Sequence, residues 1–418
     1  MTRAALFGAA LVLVALPRCA WPWAGQVVDV TTGQPVAGAV ITAGDMVVTS
    51  DGMGAFQLPA VGAEIRVRAV GYRRAEVRPV VAGGESLRVP LTPFRPQALY
   101  LSFFGIGDRR LRERALTLID TTELNALVID VKGDHGKIPY ETAVPLAAAV
   151  GAQGPRTVSD IRGLMGGLHE KGVYTIARIV VFKDAPLALA RPDLAVKTSA
   201  GGVWRDRENL AWSDPFRREV WDYDIAIAVE AAQYGFDEIQ FDYVRFPDAP
   251  GLVYSQPSTQ ASRIGAIGGF LAEARRRLAP YNVFLSADVF GYVCWNLNDT
   301  MIGQRLEDLA PLLDYVSPML YPSSFQFGIP GYRNPVEHPY EIVALSLERA
   351  QQRTGLPATR FRPWLQAFRD YAFDRRVFGE AEIRAEITAA ERFGSGGWML
   401  WNPRNEYSPD GLEGKMRP

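Results

Sequence analysis

At 418 residues the chain exceeds one ordinary domain and suits two. Hydrophobic residues make up 48% and charged residues 22%, a globular profile that excludes a disordered or collagen-like chain. With 45 basic against 46 acidic residues the net charge is −1, which argues against a broad electrostatic grip on nucleic acid.

Arg3 precedes a 13-residue apolar run, Ala4–Leu16, which Pro17 ends. A membrane-spanning helix needs about 20 apolar residues, so the run predicts a cleaved export signal over residues 1–24 and a mature chain without a transmembrane segment. Pro17-Arg18 ahead of Cys19 departs from a lipobox, so a cleaved leader is favoured over lipid anchoring at that cysteine. The two cysteines, Cys19 and Cys294, are too few for a disulfide framework. The three histidines (His135, His169, His338) lack metal-site spacing, and no Gly-rich phosphate loop occurs. No cofactor is expected, and the chemistry falls to carboxylates, amides and aromatics.

Residues 25–93 carry short β-rich runs separated by turns such as Thr32-Gly33-Gln34-Pro35 and Asp51-Gly52-Met53-Gly54. This spacing predicts a small antiparallel sandwich, with Asp51-Gly52 as a hairpin turn rather than a calcium loop. The words Thr32-Gly33-x-Pro35-Val36-x-Gly38-Ala39, Asp51-Gly52-x-Gly54-x-Phe56 and Gly71-Tyr72 resemble the carboxypeptidase regulatory-like domain. That resemblance implies a spacer or docking module.

From residue 94 to about 410 strand-like and helical runs alternate. Eight strands are predicted: Ala98–Phe104, Asn125–Lys132, Val173–Phe182, Asp237–Phe246, Val283–Phe290, Tyr315–Tyr321, Arg362–Phe368 and Gly397–Asn402. A helix is expected over Asp214–Tyr234, capped by Asp214-Pro215 and stopped by Gly235, and another after Thr157, stopped by Gly172. The pattern predicts an α/β fold, a TIM (β/α)8 barrel behind the small β-sandwich, with chemistry where strands end.

Strand alternation sends every second side chain inward. Glu238, Gln240 and Asp242 share one parity, leaving Phe241 and Tyr243 for the helix-packed face. Ser286 and Asp288 share inward parity, as do Asp130 and Lys132, with Asp134 just beyond. Arg178 interrupts an apolar run, Arg245 follows Asp242, and Gln366 lies in the seventh strand. Two carboxylates on neighbouring strands, Asp242 and Asp288, can act as nucleophile and proton donor on a sugar, and Trp204, Trp364, Trp398 and Trp401 offer faces for its ring. The structural alternative is an ion-pair network of Asp130, Lys132, Arg178 and Asp242 across the barrel.

These stretches together resemble a bacterial glycoside hydrolase domain family of TIM-barrel type, largely without assigned substrate. The matches include Val128-Ile129-Asp130-Val131-Lys132-Gly133-Asp134, Phe236-Asp237-Glu238-Ile239-Gln240-Phe241-Asp242-Tyr243-Val244-Arg245-Phe246-Pro247, Ser286-Ala287-Asp288, Tyr315-Val316-Ser317-Pro318-Met319-Leu320-Tyr321-Pro322-Ser323 and Trp398-Met399-Leu400-Trp401-Asn402. After Ser323 the family pattern has a His-aromatic pair where this chain has Ser324-Phe325, so no imidazole role carries over there. The resemblance implies a carbohydrate ligand and a two-carboxylate hydrolysis of a polysaccharide. Asp242 is the expected nucleophile and Asp288 the acid/base, with Asp134 and Glu141 in reserve. Asp130, Lys132, Asp134, Arg178, Arg245, Tyr321, Gln366, Trp401 and Asn402 are the expected substrate-binding set. A non-catalytic glycan-binding envelope protein is the alternative; sugar deacetylation or ester cleavage lacks its metal-binding or triad histidines.

Overall fold

The computed structural model describes residues 23–58, 64–78 and 87–415. The leader-like run and Cys19 lie outside the described residues. No helix among those described is long and apolar enough to cross a membrane.

Seven strands form the N-terminal unit: β1 (Trp23–Asp29), β2 (Val40–Ala43), β3 (Met46–Thr49), β4 (Ala55–Leu58), β5 (Ile65–Arg68), β6 (Ala75–Val77) and β7 (Leu87–Leu91). They make two sheets, β4-β1-β7 and β3-β2-β5-β6, facing each other across Val27, Ile41, Phe56, Val67 and Leu91. One pairing departs from the antiparallel expectation, since β1 runs parallel to β7. The Asp51-Gly52 turn also differs. It joins β3 to β4 in opposite sheets rather than closing a hairpin, with Asp51 Oδ1 accepting from the Met53 and Ala55 amides at 2.9 Å each. Gly54 follows at φ 70°, and a Cβ there would meet the Val27 carbonyl oxygen at 2.4 Å, so only glycine fits this crossover.

The eight predicted strands all form. They are β8 (Gln97–Leu101), β9 (Ala126–Lys132), β10 (Tyr174–Val180), β12 (Glu238–Asp242), β14 (Phe284–Phe290), β15 (Tyr315–Met319), β16 (Trp364–Gln366) and β17 (Trp398–Trp401); β11 (Lys197–Thr198) and β13 (Leu252–Val253) pair with each other outside them. The eight close into a parallel barrel in sequence order, β17 returning to β8. Every connection therefore leads to the next parallel stave, which puts all eight C-terminal ends on one rim.

Outward residues such as Ile129, Ile179, Ile239, Phe241 and Leu285 pack on the helices, including Val220, Tyr223, Ile227 and Ala231 of the Arg218–Gln233 helix. That helix starts four residues later than expected. Asp214 instead accepts from the Phe216 and Ser255 amides (3.0 and 2.7 Å) and shapes the preceding loop, while Gly235 ends the helix at φ 102°. The helix after Thr157 runs Ile161–Glu170, and its cap is Asp160.

The N-terminal unit closes the opposite rim. Arg68 of β5 donates to Asp314 at 2.7 Å, the Asn282 amide donates to the Val40 and Arg66 carbonyls, and Tyr315 Oη accepts from the Gly71 amide. Val70 and Phe94 pack against the cluster inside the barrel that holds Tyr174, Phe284 and Tyr315. Above that floor, Glu238 sits fully buried, accepting from Arg362, Tyr174 and Ser286. Among the described residues the floor is thus covered, and the pocket lies at the rim where the strands end.

Candidate active site

Arg178 of β10 is the centre of that open rim. Its Nε and Nη2 both donate to Asp242 Oδ2 (2.9 and 2.5 Å), Nη1 to Asp130 Oδ1 (2.7 Å), and Nη2 also to Asp134 Oδ1 (2.8 Å). Strand pairing explains the convergence: Arg178 stands opposite Asp130 on β9, and its neighbour but one, Val180, opposite Asp242 on β12. Three carboxylates and one guanidinium in a buried site leave excess negative charge, which is costly unless a proton is taken up. Asp130 carries that burden. Burial pushes its carboxyl up to about 6 against the pull of Arg178, while Tyr100 Oη and the Phe103 amide donate to its Oδ2. At Asp134 burial also opposes charge, but Arg178 outweighs it and holds the carboxyl below its ordinary value.

Asp242 Oδ1 accepts from the Tyr243 amide at 2.6 Å, so both of its oxygens are engaged by donors. That amide is aimed by the backbone: Tyr243 lies at φ 48°, a left-handed conformation unusual for an aromatic residue. The turn also overrides the strand's parity. The Tyr243 ring, expected on the helix-packed face, lines the opening beside Trp212 (5.6 Å between centroids).

Asp288 of β14 sits 1% exposed in the same pocket. Trp364 Nε1 donates to its Oδ1 at 2.7 Å, and its buried Oδ2 has no hydrogen-bond partner among the described residues. Burial, reinforced by the negative charge of Asp242, pushes the Asp288 carboxyl well above its ordinary value. The two acids thus lie in different surroundings, Asp242 hydrogen-bonded through both oxygens beside a cation and Asp288 through one oxygen to an indole.

Aromatic walls complete the pocket. Tyr321 and Trp401 are stacked with centroids 5.3 Å apart at 27°, and Phe290, Met319 and Trp364 line it with them. Arg245 stands at the mouth, its guanidinium 5.1 Å from both the Trp212 and Tyr243 ring centres. Among the described residues no cluster of three or more His, Cys, Asp or Glu side chains is placed to hold a metal ion.

The predicted set is therefore largely brought together: Asp130, Asp134, Arg178, Arg245, Asp242, Asp288, Tyr321 and Trp401 converge on this rim. Lys132 does not. The pairing of β9 with β10 skips a residue between Asp130 and Lys132, a β-bulge that turns Lys132 out behind the barrel. There, fully buried, it contacts Asp184 at 2.5 Å and Asp224 at 2.6 Å. Gln366 stands behind the wall, donating to Ser323 Oγ and the Phe368 carbonyl and accepting from the Ser323 amide. Asn402 braces a loop through the Ala367 and Glu406 carbonyls. Glu141 is a surface residue paired with Arg156. Trp398 is core, with its ring among the barrel's outer packing.

A model of the family described as "Putative glycosyl hydrolase domain" matches residues 98–407, the whole barrel. The chain belongs to this family. Among solved structures, a hypothetical protein from Ruminiclostridium thermocellum is 40% identical over 46% of this chain and 97% of its own, with a TM-score of 0.42. The PgaB (BpsB) glycoside hydrolase domain from Bordetella bronchiseptica is 15% identical, the match covering 74% of this chain and 95% of that domain with a TM-score of 0.50, a likeness of fold. A class V chitinase from Pseudomonas fluorescens is 14% identical over 75% of this chain and 96% of its own, with a TM-score of 0.45. No curated protein matches.

Proposed function

We propose that this glycoside hydrolase-family barrel cleaves glycosidic bonds of a polysaccharide outside the cytoplasm, with Asp242 and Asp288 as its two working carboxyl groups. The observation that carries the reading is their contrast. Asp242 accepts three hydrogen bonds, two of them from Arg178, while burial and the charge of Asp242 push the Asp288 carboxyl well above its ordinary value, which favours the neutral acid. A carboxyl group kept neutral in this way suits the part of proton donor.

In the proposed reaction the Asp288 proton, carried on the bare Oδ2, passes to the glycosidic oxygen as the bond from that oxygen to the anomeric carbon breaks. The Asp242 carboxylate meets the positive charge developing on the anomeric carbon and bonds to it. Water, deprotonated by the Asp288 carboxylate, then displaces Asp242, restoring the acid and releasing a reducing sugar. Arg178 holds Asp242 in place, and Tyr321 and Trp401 provide apolar faces for the sugar ring. The N-terminal leader-like run supports export, and the buried contacts of the β-sandwich at the far rim support a structural part for that unit.

Asp242→Asn tests the assignment. On a polysaccharide that the native protein cleaves, release of reducing ends should fall by at least about a thousandfold with an unchanged circular dichroism spectrum. Undiminished release sinks the role of Asp242, and glycan binding without new reducing ends in the native protein makes it a binding protein instead.

A further inference from the structure

Beyond the acid pocket the rim carries a second, larger cleft of about 820 Å³. It shares Tyr243, Arg245 and Phe290 with the pocket, so the two adjoin. The pocket is walled on its inner side by Tyr321, Trp364 and Trp401. The cleft is lined by two aromatic pairs, Trp204 with Trp212 and Tyr292 with Phe327, each with ring centres 6.3 Å apart.

Phe327 is the anomaly in this cleft. It is 90% exposed, the most exposed of the large hydrophobic side chains among the described residues. Yet its backbone is fixed: Tyr292 Oη accepts from the Phe327 amide at 2.9 Å and contacts the Gly328 carbonyl at 3.2 Å. The Tyr292 ring lies 6.3 Å from that of Phe327. An apolar ring held out in water on a braced loop gains little for folding, because little of its surface is removed from solvent. It does offer a ligand a face whose backbone is already ordered. The remaining cleft lining alternates aromatic faces with polar groups, among them Arg207, Asp248 and Thr300. Flat apolar faces interleaved with hydrogen-bonding groups suit pyranose rings, which are apolar on their faces and polar at their edges. The volume lies in the upper part of the roughly 300–1,000 Å³ range of ligand pockets, more than a single ring requires.

We propose that the protein takes a chain of several sugar units, one ring in the acid pocket and the following units along this cleft, with the outermost stacked on Phe327. The inference rests on the glycosidase reading and names its substrate as a polymer or long oligomer rather than a terminal disaccharide.

The test uses the full chain carrying Asp242→Asn, so that ligands persist, and titrates β-linked glucose, β-linked N-acetylglucosamine and α-linked galacturonate oligomers of increasing length by calorimetry. In the series that binds, affinity should rise at least about tenfold from the dimer to the longest oligomer, and adding Phe327→Ala should remove about that gain while leaving the dimer unaffected. Equal affinity at all lengths, or an equal loss at all lengths on truncating Phe327, overturns the extended site but leaves the glycosidase reading standing. Failure of every oligomer to bind overturns that reading itself.

Discussion

The indole Nε1 of Trp364 donates to Oδ1 of Asp288 across 2.7 Å, and among the described residues no other group hydrogen-bonds that carboxyl. The bond decides which oxygen can carry a proton. Oδ1 is occupied by a donor, so the neutral acid bears its hydrogen on Oδ2, the atom without a partner. Trp364 is thus a positioning residue for the proposed proton donor.

Trp364→Phe removes a donor that favours the ionised form, so the Asp288 carboxyl should rise further above its already elevated value. Activity that needs protonated Asp288 is lost as pH rises through that value. The basic limb of the kcat/KM profile should therefore move to higher pH by about one unit, with kcat reduced because the acid is less firmly oriented. A profile that keeps its basic limb in place would contradict the assignment.

Arg178→Met leaves Asp130, Asp134 and Asp242 without their common cation. Urea unfolding at pH 7 should show a loss of about 3–5 kcal/mol, as for other broken buried ion pairs. The loss should shrink toward pH 4. Stranded carboxylates take up protons more readily than in the unfolded chain, and protonation removes their repulsion.

Behind the barrel, Lys132 serves two carboxylates, and burial pushes the Asp224 carboxyl up to about 7 despite that lysine. A folded value above the ordinary 3.8 means that the folded protein holds the proton more tightly than the unfolded chain. Stability contributed there is present below about 4 and is lost as pH rises through about 7. Asp224→Asn should remove this part of the slope and raise the melting temperature at pH 8 relative to the native chain. Differential scanning calorimetry between pH 5 and pH 8 (a range of about three units spanning that value) reads the change.

Arg68 and Asp314 form a buried pair between the β-sandwich and the barrel floor, and there burial is outweighed by Arg68, which holds the Asp314 carboxyl low. Arg68→Ala should cost about 3 kcal/mol in urea unfolding. Turnover per folded molecule should not change, because the pair lies at the rim opposite the acids. A second, independent unfolding transition in the native protein would show that the two units do not stabilise each other.

The sequence by itself determined the architecture and most of the rim. Eight β-rich runs spaced by helical ones pointed to a barrel over a doubly wound open sheet, which usually carries a Gly-rich nucleotide loop, and strict alternation along β12 and β14 was enough to aim Asp242 and Asp288 inward. Arg178 announced itself as a charge inside an apolar strand, and the network expected with Asp130 and Asp242 forms, joined by Asp134 while Lys132 stays out of it. What alternation could not foresee were the two places where the backbone leaves the regular strand. A bulge after Asp130 sent Lys132 to the helix layer, and a left-handed turn at Tyr243 brought that ring to the opening. Both depend on neighbouring staves: an extra residue is tolerated only where a partner strand can skip it, and a positive φ in tyrosine only where new contacts offset the strain. Tertiary structure likewise decided that the N-terminal sheets plug the barrel floor and that Trp364 and Asp288, 76 residues apart, share a proton-directing bond. Local pattern specifies which way a side chain faces within its own strand. The partner it meets there is set by how distant segments pack.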